Sequence, residues 1–131
     1  VMNFLSRCRG RAIPLHVISH KTEYANFDST KTNLRQAALG WMERRGLFEP
    51  SGGGLDRWQV NFAATRSEKI ARIKALKCSH FIDDLVEVFD DSEFPEGVEK
   101  LLFDQSTGQS NLAAGTFASW HDISAHLLGP A

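Results

Sequence analysis

Two adjacent carboxylates, Asp83 and Asp84, end the short apolar run His80-Phe81-Ile82 and are the best-placed residues of this chain for chemistry. Side chains offering only oxygen suit a hard cation. Magnesium is usually held by one or two protein carboxylates together with phosphate oxygens and water. Ser19 and His20 close a second such run, Leu15-His16-Val17-Ile18-Ser19, and Lys69 follows Thr65-Arg66-Ser67-Glu68, a capping-box pattern that opens a helix. A hydroxyl, an ammonium and a carboxylate pair are what an enzyme gathers around a phosphate and its magnesium. The hydroxyl and nearby backbone N–H groups bind phosphate oxygens, the lysine neutralises charge and the carboxylates hold the metal. Each group alone also has a plain structural role. Asp84 fits an N-cap, Asp83 a solvated turn residue and Lys69 an exposed helix lysine.

Positioning these groups falls to an alternation of apolar strands and amphipathic helices. Val1, Phe4, Leu5 and Cys8 share a helix face, and Gly10 stands where that helix stops. The stripe begins at the first residue with no capping residue before it. Residues 15–19 predict a buried strand, residues 23–31 a polar loop, and Thr32 or Asn33 the cap of a helix carrying Leu34, Ala38, Trp41 and Met42 on one face. Arg44 and Arg45 complement the C-terminal dipole of that helix, and Gly46 can end it. Residues 50–54, Pro-Ser-Gly-Gly-Gly, predict a flexible surface turn; with no GK[ST] after them they are not a phosphate loop. Residues 58–63 predict a second strand, and Ile70, Ile73 and Leu76 the apolar stripe of the following helix, with Arg72, Lys74 and Lys77 solvated.

The third strand is the 80–83 run, with a helix at residues 85–89. Leu101-Leu102-Phe103, closed by Asp104, is the fourth. Residues 105–111 predict a polar loop, and Phe117, Trp120, Ile123 and Leu127 a closing helix ending near Gly129-Pro130. Strands alternating with helices argue for an α/β fold, an open and mainly parallel sheet with right-handed crossovers. Ligands of such sheets bind outside the carboxyl ends of the strands, where the polar groups above are delivered.

Composition supports one folded domain. The chain has 131 residues, of which 42% are hydrophobic, with 9 Phe and 3 Trp, so it has the means to bury a core. Lys+Arg 15 against Asp+Glu 16 leave a formal charge of -1, and the basic residues are scattered, which points away from nucleic acid and from anionic membranes. Cys8 and Cys78 are far apart, with no CxxC, so no disulfide framework is indicated. No apolar run approaches the ~18 residues of a membrane span, and Arg7, Arg9 and Arg11 stand where a signal peptide needs an apolar core. A reducing cytoplasm is the expected compartment.

Leu15-His16-Val17-Ile18-Ser19-His20, Ser67-Glu68-Lys69-Ile70 and His80-Phe81-Ile82-Asp83-Asp84-Leu85 resemble the second, third and fourth motifs of the haloacid dehalogenase-like (HAD) hydrolase superfamily. They stand in that family's order and approximate spacing, across roughly residues 10–104. The resemblance implies a three-layer Rossmann-like sheet and a Mg2+-dependent phosphohydrolase acting on a small phosphomonoester through an aspartyl-phosphate. Ser19 would hydrogen-bond the transferring phosphoryl group, with the backbone around His20 assisting. Lys69 would stabilise phosphoryl charge and the attacking carboxylate. Asp84 would be the inner magnesium ligand, with Asp83 orienting a metal-bound water or pairing with Lys69, and the two acids can exchange roles. Lys21 and Arg66 are further candidates for substrate contact.

One motif is missing. The family's first motif, DxDx[TV], supplies the nucleophilic Asp and belongs before Ser19, yet residues 1–14 contain no Asp or Glu. Leu102-Phe103-Asp104-Gln105-Ser106-Thr107-Gly108 imitates it at the wrong end and lacks the second Asp. The expectation is therefore the C-terminal part of a larger hydrolase, its nucleophile strand missing, inactive by itself and prone to self-associate through an incomplete sheet. The competing expectation is a HAD-like remnant that binds a phosphorylated ligand or a protein partner without turnover. A receiver-like domain fits less well, because it carries its acid pair at the first strand.

The remaining conspicuous residues have structural roles. His16 and His20 stand about 13 Å apart along a strand, too far for one metal. His121 and His126 diverge around a helix. Trp41, Trp58 and Trp120 are expected in core or edge packing. Cys78-Ser79-His80 can bring a thiol and an imidazole to one strand face, which is short of a structural zinc site.

Overall fold

The computed structural model of the chain describes residues 1–21 and 33–130. Thr22, the loop expected at 23–31 and Thr32 lie outside the described residues. The chain divides into two compact units, Val1–Lys69 and Ile70–Ala131.

In the first unit, α1 (Met2–Gly10) buries Phe4, Leu5 and Cys8, the i, i+1, i+4 face set by their spacing, and leaves Val1 half exposed. The backbone turns out of the helix at Ala12, whose φ is 55°. Strand β1 (Val17–His20) pairs in parallel with β2 (Val60–Ala63), Val17 opposite Val60 and His20 opposite Ala63. Both strands begin two residues later than their apolar runs, for one reason. The Gln59 side chain accepts from the Asp56 backbone N–H at 2.8 Å, which locks residues 57–59 into a tight helical turn. The ladder therefore opens at Val60, and Gln59 Nε2 donates to the Leu15 carbonyl at 2.8 Å instead of extending the pairing.

Helix α2 (Leu34–Arg44) is capped by Asn33, whose side chain accepts from the Gln36 N–H at 3.0 Å. Of its expected apolar face only Met42 is fully buried; Trp41 is 51% exposed, with the Arg45 guanidinium over its ring. The chain leaves α2 through Gly46, at φ 78°. The glycine turn is tied rather than loose: Gly53 N–H donates to the Gly46 carbonyl and Leu55 N–H to the Leu47 carbonyl, both at 3.0 Å. Arg9 of α1 donates to the Pro50 carbonyl at 2.6 Å. A Cβ on Gly53 would meet the Leu47 carbonyl oxygen at 2.5 Å, so glycine is required there by close approach.

Helix α3 (Arg66–Ala75) runs across the boundary between the units. Thr65 Oγ1 accepts from the Glu68 N–H at 3.1 Å, and the Glu68 carboxylate reaches back to the Ala64 N–H at 2.7 Å. This is a capping box with its return bond shifted by one residue.

In the second unit, β3 (His80–Asp83), β4 (Glu99–Phe103) and β5 (Thr116–Phe117) form a parallel sheet in that order. Helix α4 (Val86–Asp90) links the first pair. Its apolar interior includes Ile70, Ile73, Leu101 and Ile123, each at most 2% exposed. Each such side chain contributes about 1.5–3 kcal/mol by leaving water. Phe81, Phe89 and Phe94 meet edge-on or tilted at 5.5–6.4 Å between centroids. Phe117, expected on the closing helix, lies in β5, opposite Phe103. Helix α5 (Trp120–Leu128) starts after it, because Ser119 Oγ accepts from the Asp122 N–H at 3.1 Å and caps the helix there.

Fold class is thus α/β with parallel strands, in a two-stranded and a three-stranded sheet. No helix among the described residues is long and apolar enough to cross a membrane.

Two glycines give opposite expectations in urea unfolding. Gly53→Ala destabilises, since backbone must move to admit the methyl group. Gly10→Ala, in α1 with open space at its Cβ, is neutral or stabilises by up to about 1 kcal/mol. Leu101→Ala, fully buried, costs about 2–5 kcal/mol.

Candidate functional site

The expected site residues fall into two groups, one in each unit. Ser19, His20 and Lys21 stand at the carboxyl end of β1. Because β1 and β2 run parallel, Ala63 and Ala64 reach the same edge. Lys21 N–H continues the ladder to the Ala63 carbonyl at 2.8 Å. His20 is exposed, and its Nε2 donates to the Ala64 carbonyl at 3.0 Å, so its ring braces the exit of β2. Ser19 is half-buried opposite Phe62.

A residue that the motifs did not single out joins this edge. Arg35, in the first turn of α2, donates from Nε to the Lys21 carbonyl at 3.2 Å and lies over the Phe62 ring at 5.9 Å. The only sequence signal for it was its place just after the Asn33 cap.

From Ala64 the chain turns into α3, which carries Lys69 in its first turn. The Lys69 side chain is not the exposed helix lysine that its position alone suggests. It is 7% exposed, whereas its helix neighbours Arg66 and Arg72 are exposed.

In the second unit Asp83 ends β3, opposite Leu102 of β4, and is 8% exposed. Its Oδ1 accepts from the Leu85 N–H at 3.0 Å, an Asx-type turn that fixes the carboxylate. Asp84 is exposed, and the residue before α4 is Leu85, so neither acid is that helix's N-cap. Among the described residues Lys69 and Asp83 are the charged side chains in the buried class. Ionised groups are rarely buried unless paired or ligated, because desolvation is costly.

Beside β3, Asp104 follows β4 at the same sheet edge. Its carboxylate accepts from the Ser106 N–H at 2.9 Å, and Ser106 holds it below the ordinary carboxylate range. At the opposite edge, His80 Nε2 meets Glu99 Oε2 at 2.9 Å and His126 Nε2 meets Glu99 Oε1 at 3.0 Å. His80 Nδ1 lies 2.8 Å from Ser79 Oγ. This chain of partners occupies His80, which sequence spacing had set beside Cys78. Both cysteines are free, and burial pushes both thiols up, away from thiolate chemistry.

Among the described residues no group of three or more His, Cys, Asp or Glu is arranged to hold a metal ion. A carboxylate pair suffices for magnesium, which completes its shell with water and phosphate oxygens, so the donor chemistry of Asp83 and Asp84 fits that ion. No protein family, curated protein or solved structure matches this chain.

The two acids separate in a stability measurement. Asp83→Ala removes a buried acceptor and the turn bond to Leu85, and should destabilise by about 1–3 kcal/mol. Asp84→Ala, at an exposed position, should stay within about 0.5 kcal/mol of the parent. Equal losses in chemical denaturation would show that the burial difference has no energetic weight.

Proposed function

We propose that this chain is part of a Mg2+-dependent phosphohydrolase of the HAD type, acting on a small phosphomonoester through an aspartyl-phosphate. The observation that carries this is the identity of the buried charges. Lys69 and Asp83 are buried, and they are the lysine and one of the two acids that the motif resemblance marks for catalysis. A lysine of ordinary structural role in a first helical turn stays in solvent.

In this chemistry Ser19 donates its hydroxyl proton to a phosphoryl oxygen, and backbone N–H groups around His20 add further donors. Lys69 neutralises the charge gathered on the phosphoryl group and on the attacking carboxylate. Lys21, exposed at the same strand end as Ser19, is available to a substrate's own charge. Asp84, with Asp83, would hold Mg2+, whose contribution is to offset phosphate charge. Asp83, held by the Leu85 N–H, keeps a fixed orientation while exposed Asp84 is free to turn toward an incoming ion.

Residues 1–14 carry no acid, so on this reading the nucleophilic Asp lies outside these 131 residues, and an in-frame upstream apolar strand ending in Asp-x-Asp would support it. The same absence favours a second reading, a HAD-like protein that binds a phosphorylated ligand or a partner without turnover. The upstream reading frame separates the two: a stop codon before Val1 supports the binder.

The direct test is an aryl phosphate assay with and without Mg2+, paired with calorimetric titration of Mg2+. For this chain we expect no turnover and weak Mg2+ binding that Asp84→Asn abolishes. Binding unchanged in Asp84→Asn and in Asp83→Asn would overturn the metal assignment. Turnover that Asp84→Asn removes would place a nucleophile within these 131 residues, with Asp104 the first to substitute.

A further inference from the structure

The β1–β2 ladder has a covered face and an open one. Successive residues of a strand alternate between faces, and side chains paired in a parallel register stand on the same face. Ser19 pairs with Phe62, and the Lys21 N–H carries the ladder on to Ala63, so Ser19, Lys21 and Phe62 share one face while Ile18 and Ala63 share the other. Ile18 and Ala63 are buried, whereas Ser19 and Phe62 are half-buried and Lys21 is exposed. The Ser19 face is the one a ligand can reach.

Arg35 joins this face from α2. Its guanidinium lies over the Phe62 ring at 5.9 Å, and Phe62 is the register partner of Ser19, so the guanidinium stands on the Ser19 side of the ladder. Its Nε donates to the Lys21 carbonyl at 3.2 Å, which holds the plane of the fork. Among the described residues, that hydrogen bond and that ring contact are the partners of the Arg35 side chain, and the donors on Nη1 and Nη2 are left for a ligand. Anchoring a long side chain costs rotamer freedom, and an arginine reaching into water avoids that cost. A guanidinium anchored through Nε and over an aromatic ring, with its Nη edge open, is a preorganised fork, and preorganisation lowers the ordering cost of binding.

We propose that Arg35 reads a carboxylate on the phosphorylated ligand, so that the substrate class is small phosphorylated carboxylic acids. The inference rests on the phosphoryl reading of Ser19 and Lys69 given above. The two oxygens of a carboxylate match two parallel N–H groups of the fork. Ser19 and Lys21 are two residues apart, about 7 Å along a strand. A phosphoryl group at Ser19 and a carboxylate at Arg35 therefore suit the two ends of a three-carbon chain. Lys21, on the same face, adds a point charge without a fork, so it attracts any anion and does not select the carboxylate.

The test is an NMR titration of the full chain, at fixed Mg2+ and ionic strength, with inorganic phosphate, glycerol 3-phosphate and 3-phosphoglycerate. The two esters differ at one terminal carbon, hydroxymethyl against carboxylate. The parent should bind 3-phosphoglycerate about tenfold more tightly, the worth of one charge-assisted hydrogen bond. Arg35→Gln should bring that ratio to about one, and Arg35→Lys, which keeps the charge and loses the fork, should leave it in between. Lys21→Gln removes the same charge from the same face, and should weaken both esters alike and keep the ratio. Three results would overturn the assignment while phosphate binding stands: equal affinity for the two esters in the parent, a ratio undiminished in the Arg35 variants, or a ratio lost as fully in Lys21→Gln as in Arg35→Gln. No binding of phosphate or of either ester would overturn the phosphoryl reading, and this inference with it. If Arg35→Gln does not fold, the parent and Arg35→Lys ratios decide the matter.

Discussion

Parallel strands cannot be joined by a tight turn, and everything else in this chain accommodates that constraint. Each pairing needs a crossover of about a dozen residues or more. The chain supplies α2 and the glycine turn between β1 and β2, α4 between β3 and β4, and residues 104–115 between β4 and β5. The return is a shared direction. Within each sheet all strands end at the same edge, so a polar residue placed after any strand arrives beside its neighbours' ends without a dedicated contact. Ser19, His20 and Lys21 reach the edge of the first sheet in this way, and Asp83, Asp84 and Asp104 that of the second.

The same constraint explains the buried charges. Strand ends and the helix starts that follow them are where backbone N–H groups are left without ladder or helix partners, and such groups stabilise a carboxylate. Asp83 uses one of them, the Leu85 N–H. Lys69 sits one turn into a helix whose entry is closed by Thr65 and Glu68, which supply the acceptors that backbone N–H groups need there. A buried lysine is an expense to the fold, which is why it weighs more than the motif around it.

Much of the element list was legible because its signals are local. The helix cap expected at Thr32 or Asn33 falls on Asn33, and the Thr65–Glu68 box and the third strand, residues 80–83, appear where their spacing sets them, because each depends on residues within four positions of one another. Signals that depend on distant partners were not legible. Trp41 and Trp58, expected in core or edge packing, are 51% and 70% exposed, since an aromatic ring is buried only if another segment covers it. Strand β5 has two residues, too few for a period, and exists because Leu102 and Phe103 offer it a free edge. The start of both strands of the first sheet was set by the Asp56–Gln59 side-chain bond, which no hydrophobic pattern records.

The sequence by itself determined the α/β class, the order of the first four strands and their helices and the delivery of an acid pair to a strand's carboxyl end, because periodicity and capping act over one or two turns of chain. Tertiary structure alone decided the pairing into two sheets, the burial of Lys69 and Asp83 against the exposure of Asp84, the arrival of Arg35 beside Lys21 and the unpartnered nitrogen of His16. Those outcomes turn on solvent exclusion, and water is excluded from a side chain by residues far from it in sequence.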